Sequence, residues 1–145
     1  MSDGDPRNDF VFALRDARLI DQAIAIIRMP PDRRPHVSGI IETSTARYDR
    51  QWGFHYRPRT ISFPEVSTEV CDAETSYVQK HLKEVGGHFL PGNRWCPWSQ
   101  HVVRDRRQTQ EIAAPNPSAF ASAVFRLRRV DWPISAARKG AAPII

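Results

Sequence analysis

EVCDAETSYVQKHLKEVGGHFLPGNRWCPW, residues 69–98, holds both cysteines and two of the four tryptophans of a 145-residue chain. Asp72 sits where a carboxylate caps a helix N-terminus, and Glu74 falls in the first turn, where the helix dipole favours an acid. Val78, Leu82 and Val85 then recur at helical spacing, and Gly86-Gly87 supplies a C-terminal stop. Pro91 and Pro97 stiffen the backbone beyond it, while glycines 86, 87 and 92 permit tight turns. The stretch therefore reads as a helix that starts beside Cys71, followed by a rigid loop that carries Cys96 between Trp95 and Trp98.

Upstream, DFVFAL (9–14) is a short apolar run suited to a strand. Asp16 can cap a helix whose apolar residues Ile20, Ala23, Ile24 and Ile27 lie on one face, and Met29-Pro30-Pro31 stops it. HVSGIIETS (36–44) is β-branched enough for a second strand. FHYRP and TISF read as extended pieces interrupted by Pro58 and closed by Pro64, hence bent or at an edge. EVSTEV (65–70) alternates in the strand period. Downstream, Gln100 to Val103 forms a short strand. The order β-α-β-β-α-β, with one extra short strand allowed, predicts an α+β fold. The expected architecture is a two-layer sandwich, ferredoxin-like or related, with two helices on one face of an antiparallel sheet.

Residues 1–8 read as a flexible lead, 9–103 as the compact domain, and 104–145 as a basic, Pro/Ala-rich tail, largely flexible. AVFRLRRVDW (123–132) is the one stretch of that tail that could add a strand or a basic amphipathic segment. The net charge of +5 sits in the tail. Thirteen basic and thirteen acidic residues cancel up to Val103, whereas 104–145 carries eight basic against three acidic. The basic pI thus describes a tail, which removes the case for nucleic-acid binding by the folded part. No apolar run approaches the roughly 18 residues of a membrane span, so no membrane partner is expected. The polar, acidic N-terminus lacks the order of a signal peptide. As written the chain reads as cytoplasmic, or as secreted if its true start lies upstream.

Cys71 and Cys96 have three readings. They form one disulfide or a pair of buried thiols, they are inert and separate, or they bind a metal with His55, His88 or His101. Their spacing is not that of a chelating pair, and no CxxC or HxxxH accompanies it. A cysteine nucleophile with His55, His81, His88 or His101 as base has no local context that raises it. Glu69 and Asp72 read as a solvent-face residue and a cap rather than a catalytic pair. No phosphate loop or dinucleotide fingerprint is present, so no metal, cofactor or catalytic residue is assigned. Trp95 and Trp98 have two readings, as filler for the open end of a small core or as rigid anchors for a partner.

As an ordered string the chain resembles an N-terminal domain family named for a slime-mould calmodulin-binding protein. The resemblance rests on Phe10 to Leu14, on Ile20 and Ala23, and on Val37 to Ile41. It continues through Tyr48 with Trp52, Phe54 and His55, then Pro58 with Ile61 and Phe63. Glu69 to Ala73, Gly86-Gly87 and Phe89 to Trp98 complete it, covering residues 9–103. The EVCDA and WCPW elements at this spacing are the specific ones. Departures are YDRQW, which lacks the usual Asn after Tyr, and Pro64, where a second Phe is commoner.

The resemblance implies a compact domain in which Cys71 and Cys96 lie close together, and it supplies no catalytic site. The expected function is a small non-enzymatic binding domain with a protein partner, its surface drawn from Trp52, His55, Tyr56, Trp95 and Trp98. Cys71 and Cys96 are its structural pair. The alternatives are a protease-inhibitor-like domain presenting LPGNRW, a cysteine- or metal-dependent enzyme, and calmodulin binding through FRLRRVDW.

Overall fold

The computed structural model describes residues 9–103 and 123–129. The expected flexible lead, and the tail apart from 123–129, lie outside the described residues. Strand β1, Phe10–Leu14, is followed by helix α1, Ala17–Ile27. Asp16 caps α1 as its sequence predicts, its Oδ1 accepting the Arg18 N–H at 2.8 Å. Strands β2 (Gly39–Glu42) and β3 (His55–Tyr56) precede helix α2, Thr75–Lys80. Four short strands follow: β4 (Val85–Gly86), β5 (Phe89–Pro91), β6 (Arg94–Trp95) and β7 (Gln100–Val103). The last described element is β8, Ala123–Arg129.

The α+β class holds, but the strands do not form one sheet. Two antiparallel three-stranded sheets, ordered β1-β8-β7 and β3-β2-β6, are accompanied by a parallel two-stranded ladder, β4-β5. Their inner faces meet through aromatic rings. Phe10 of β1 lies 4.9 Å from Trp95 of β6 and 5.0 Å from Phe54, and Tyr56 stacks on Trp95 at 5.1 Å. Phe12 reaches Tyr56 across the gap and Phe125 of β8 beside it. Ring–ring packing of this kind adds to the area each aromatic buries. Gly39 is required here, because a Cβ on it would stand 2.8 Å from the Tyr56 ring.

The domain does not end at Val103. β8 is the middle strand of its sheet, pairing Phe10 with Leu127 on one side and Val103 with Arg126 on the other. Ala123, Phe125 and Leu127 alternate inward and are buried. Arg126 and Arg128 reach from the alternate positions to the buried Asp9 carboxylate, each with a contact of 2.8 Å. The strand period is present in the sequence, but the density of arginines makes the segment read as a charged tail.

Three other expectations are corrected. EVSTEV is not a strand: Val66 and Val70 are exposed, and Glu69–Cys71 forms a single 3-10 turn. Alternation alone makes no strand where neither face finds a partner. Asp72 does not cap α2, which begins at Thr75 after Glu74. Its carboxylate accepts the Trp98 backbone N–H instead, at 2.8 Å. The helix also breaks earlier than its apolar stripe implies, giving way at His81 to a 3-10 turn, Leu82–Glu84.

Candidate functional site

The two halves of the 69–98 stretch close on each other. Cys71 and Cys96 are joined as a disulfide, and the Cys96 N–H donates to the Cys71 carbonyl at 2.8 Å. Asp72 holds the Trp98 backbone, and the Trp95 indole Nε1–H donates to Ala73 O at 2.9 Å. Residues 71–73 and 95–98 are thus tied by one covalent bond and three hydrogen bonds. A disulfide closing a loop of this length stabilises by about 3 kcal/mol in the chain-entropy model.

The clasp separates the two tryptophans by environment. Trp95 is fully buried among Phe10, Phe54 and Tyr56, and its carbonyl accepts the Tyr56 hydroxyl at 3.1 Å. Trp98 is only half-buried and lies outside that core, its ring 6.1 Å from His36. His36 in turn lies 6.0 Å from His101 of β7, ring planes 27° apart. The segment from Trp98 to His101 and the distant His36 therefore bring one indole and two imidazoles into a row, with His36 in the middle.

Three ring nitrogens of that row are unanswered. Trp98 Nε1, His36 Nδ1 and His101 Nδ1 are all buried without a hydrogen-bond partner. A buried donor or acceptor left unmade costs about 1–3 kcal/mol. Beside them Arg34 spends its guanidinium on three carbonyls: Ile27 and Met29 at the end of α1 (2.9 and 3.1 Å) and Val102 of β7 (3.0 Å). Burial lowers the His101 pKa from 6.5, and the charges of His36 and Arg34 push it the same way, against the Pro35 carbonyl.

The five residues assigned to a binding surface from sequence do not assemble into one. Tyr56 and Trp95 are fully buried and Trp52 nearly so, its Nε1–H donating to Asp9 O at 2.8 Å. These three are core residues, a correction with a simple cause: large rings are needed to fill the space between two small sheets. His55 is half-buried and tied down by Ser44 O (2.7 Å) and Glu42 (3.3 Å). Trp98 alone keeps an exposed portion outside these ties. Its neighbour His36 is brought to it by tertiary pairing that no local spacing announces, and His101, three residues further along the chain, joins the row through His36. Arg34 carries a weak signal, standing just beyond the end of a helix whose last carbonyls need donors.

The competing chemistries meet specific obstacles. The chain has only two cysteines, and both sit in the disulfide, so neither offers a thiolate in this state. Among the described residues, no group of three or more His, Cys, Asp or Glu is placed to hold a metal ion. LPGNRW is a tucked turn rather than a projecting extended loop. Leu90, Gly92 and Asn93 have positive φ, and Asn93 bonds to both polar groups of the Ile41 backbone.

A family model described as the BP-74 N-terminal domain matches residues 1–109. The chain belongs to this N-terminal domain family. The match spans the clasp, the ring row and both three-stranded sheets except β8, which lies beyond it. No curated protein and no solved structure matches the chain. Among the described residues, no helix is long and apolar enough to cross a membrane.

Proposed function

We propose that this BP-74 N-terminal domain is a non-enzymatic binding module whose recognition surface is built on Trp98, His36 and His101. The observation that carries the reading is the fate of the two clasp tryptophans. Trp95 has its indole N–H satisfied and its ring enclosed; Trp98 has neither, on a backbone that the disulfide and Asp72 hold still. A rigid, partly open indole with an unused donor is what a recognition hot spot needs. The partner we infer is a protein segment, and the oxidised clasp favours an oxidising compartment as the place of work.

Calmodulin capture through FRLRRVDW is the less favoured reading. A calmodulin-type groove takes an amphipathic helix by its apolar face, yet Phe125 and Leu127 are buried in the strand β8. Engagement would strip the central strand from its sheet.

The test is a displayed peptide library selected on the full-length chain, with counter-selection on Trp98→Ala. The module reading predicts enriched peptides that bind the parent chain and are lost on the variant. Peptides that bind both equally, or no enrichment at all, would remove the reading.

A further inference from the structure

We propose that the corner formed by His36, Trp98 and His101 is a carboxylate-binding site. The inference rests on the binding-module reading and names the ligand chemistry for it. Trp98 Nε1 can only donate a hydrogen bond, and each imidazole Nδ1 can donate when it carries a proton. The corner therefore holds a fixed donor at Trp98 and a facultative one at His36, both without acceptors, and a His101 ring whose Nδ1 has no partner although the Pro35 carbonyl acts on it. The Arg34 guanidinium, bonded to the carbonyl of Val102 next to His101, brings a permanent positive charge to the corner. The acid adjoining this corner, Asp72, directs its Oδ1 to the Trp98 backbone N–H rather than to the rings.

A metal cation does not fit such a set, because the indole offers no lone pair and Arg34 repels it. A single water answers one or two donors but not the positive field. An anion with two acceptor oxygens answers both. Planar carboxylates do so while lying against flat rings, which is the shape that the His36–His101 and His36–Trp98 neighbours present.

The three nitrogens are closed to solvent, so ligand entry requires the partly buried Trp98 ring to turn on its held backbone. Binding an anion beside His36 and His101 favours their protonated forms. Arg34 stays charged throughout, and Asp72 remains engaged with the backbone. Affinity accordingly rises as pH falls.

The experiment is a titration of the 15N-labelled full-length chain at about pH 6, with indole signals assigned by single Trp→Phe substitutions. The probes are acetate, N-acetyl-alanine, its amide, and a C-terminally amidated peptide with one internal glutamate. The proposal predicts that carboxylates shift the Trp98 indole N–H saturably and move the His36 and His101 ring signals towards their protonated positions. The indoles of Trp52 and Trp95, already bonded to Asp9 O and Ala73 O, stay in place. N-acetyl-alanine acting alone identifies a free carboxyl terminus as the source, and the glutamate peptide acting as well identifies an acidic side chain.

Trp98→Phe, which keeps an aromatic ring and removes the donor, weakens carboxylate binding at least about tenfold with a melting temperature no lower than the parent's. If the amide shifts Trp98 as much as the acid, or Trp98 moves no more than Trp52, the carboxylate site is overturned. Selected peptides that depend on Trp98 but carry no carboxyl group would overturn it too, and would leave the binding module standing.

Discussion

Trp95 and Trp98 stand three positions apart in one motif, and the structure gives them opposite work. Trp95→Ala removes a fully buried indole that three aromatic rings touch, and should lower unfolding free energy by about 3–5 kcal/mol in a urea titration. Trp98→Ala should stay within about 1 kcal/mol of the parent, since its ring lies outside that packing. Asp49 gives a second test at this scale. Its carboxyl is buried and accepts the Val11 N–H at 2.7 Å, and burial raises its pKa from 3.8 to about 6, with Asp9 adding to the shift and Arg126 opposing it. Between those two values the folded chain keeps a proton that the unfolded chain has released, so the contribution of Asp49 to stability falls as pH rises through that window. Asp49→Asn keeps an acceptor for Val11 and removes the titration. Its stability relative to the parent should therefore improve from about pH 4 to pH 6 and then keep improving no longer above that range, as urea midpoints across pH will show.

The clasp and the Arg34 tie act at the level of elements. Replacing Cys71 and Cys96 together by serine should reduce stability by about 3 kcal/mol, read from denaturant unfolding of the parent with and without reductant and of the variant. Arg34 joins the end of α1 to β7 through three carbonyls, and a hydrogen bond to a charged group contributes about 1.5–3 kcal/mol. Arg34→Ala should fray α1, seen as faster hydrogen exchange at Ile26 and Ile27 than elsewhere in the helix. Much of this level was legible in the sequence. The Asp16 cap and the strand Gln100–Val103 follow from local patterns, and the structure agrees, while the α1 face is shifted towards Ile26, which is buried with Ala23 although the expected stripe left it out. Asp72 did not follow, because a cap signal and a distant backbone N–H compete for one carboxylate, and only the tertiary fold decides the winner. The ring row was invisible for the same reason: His36 and His101 are separated by most of the domain and meet only when β7 takes its place.

Across the whole molecule, β8 changes what counts as the domain. It lies outside the matched family region, yet it fills the space between β1 and β7 and carries the two arginines that answer the buried Asp9. A chain cut after Val103 would leave Phe12, Leu14 and Val102 without their β8 neighbours, and an uncompensated acid beneath them. It should lose cooperative thermal unfolding, which calorimetry of the cut and full-length chains will decide. The sequence offered β8 only as an option within a basic tail, because three arginines in seven residues outweigh a three-residue apolar alternation when the segment is read alone. The functional account rests on a different part of the molecule, where the same fold holds Trp98 still and half-open. Its central claim is tested most directly by the ratio of dissociation constants of a library-selected peptide for the parent chain and for Trp98→Ala. The account predicts a weakening of at least about a hundredfold, or about 2.7 kcal/mol, with both proteins melting together. Equal affinity for the two chains would contradict it.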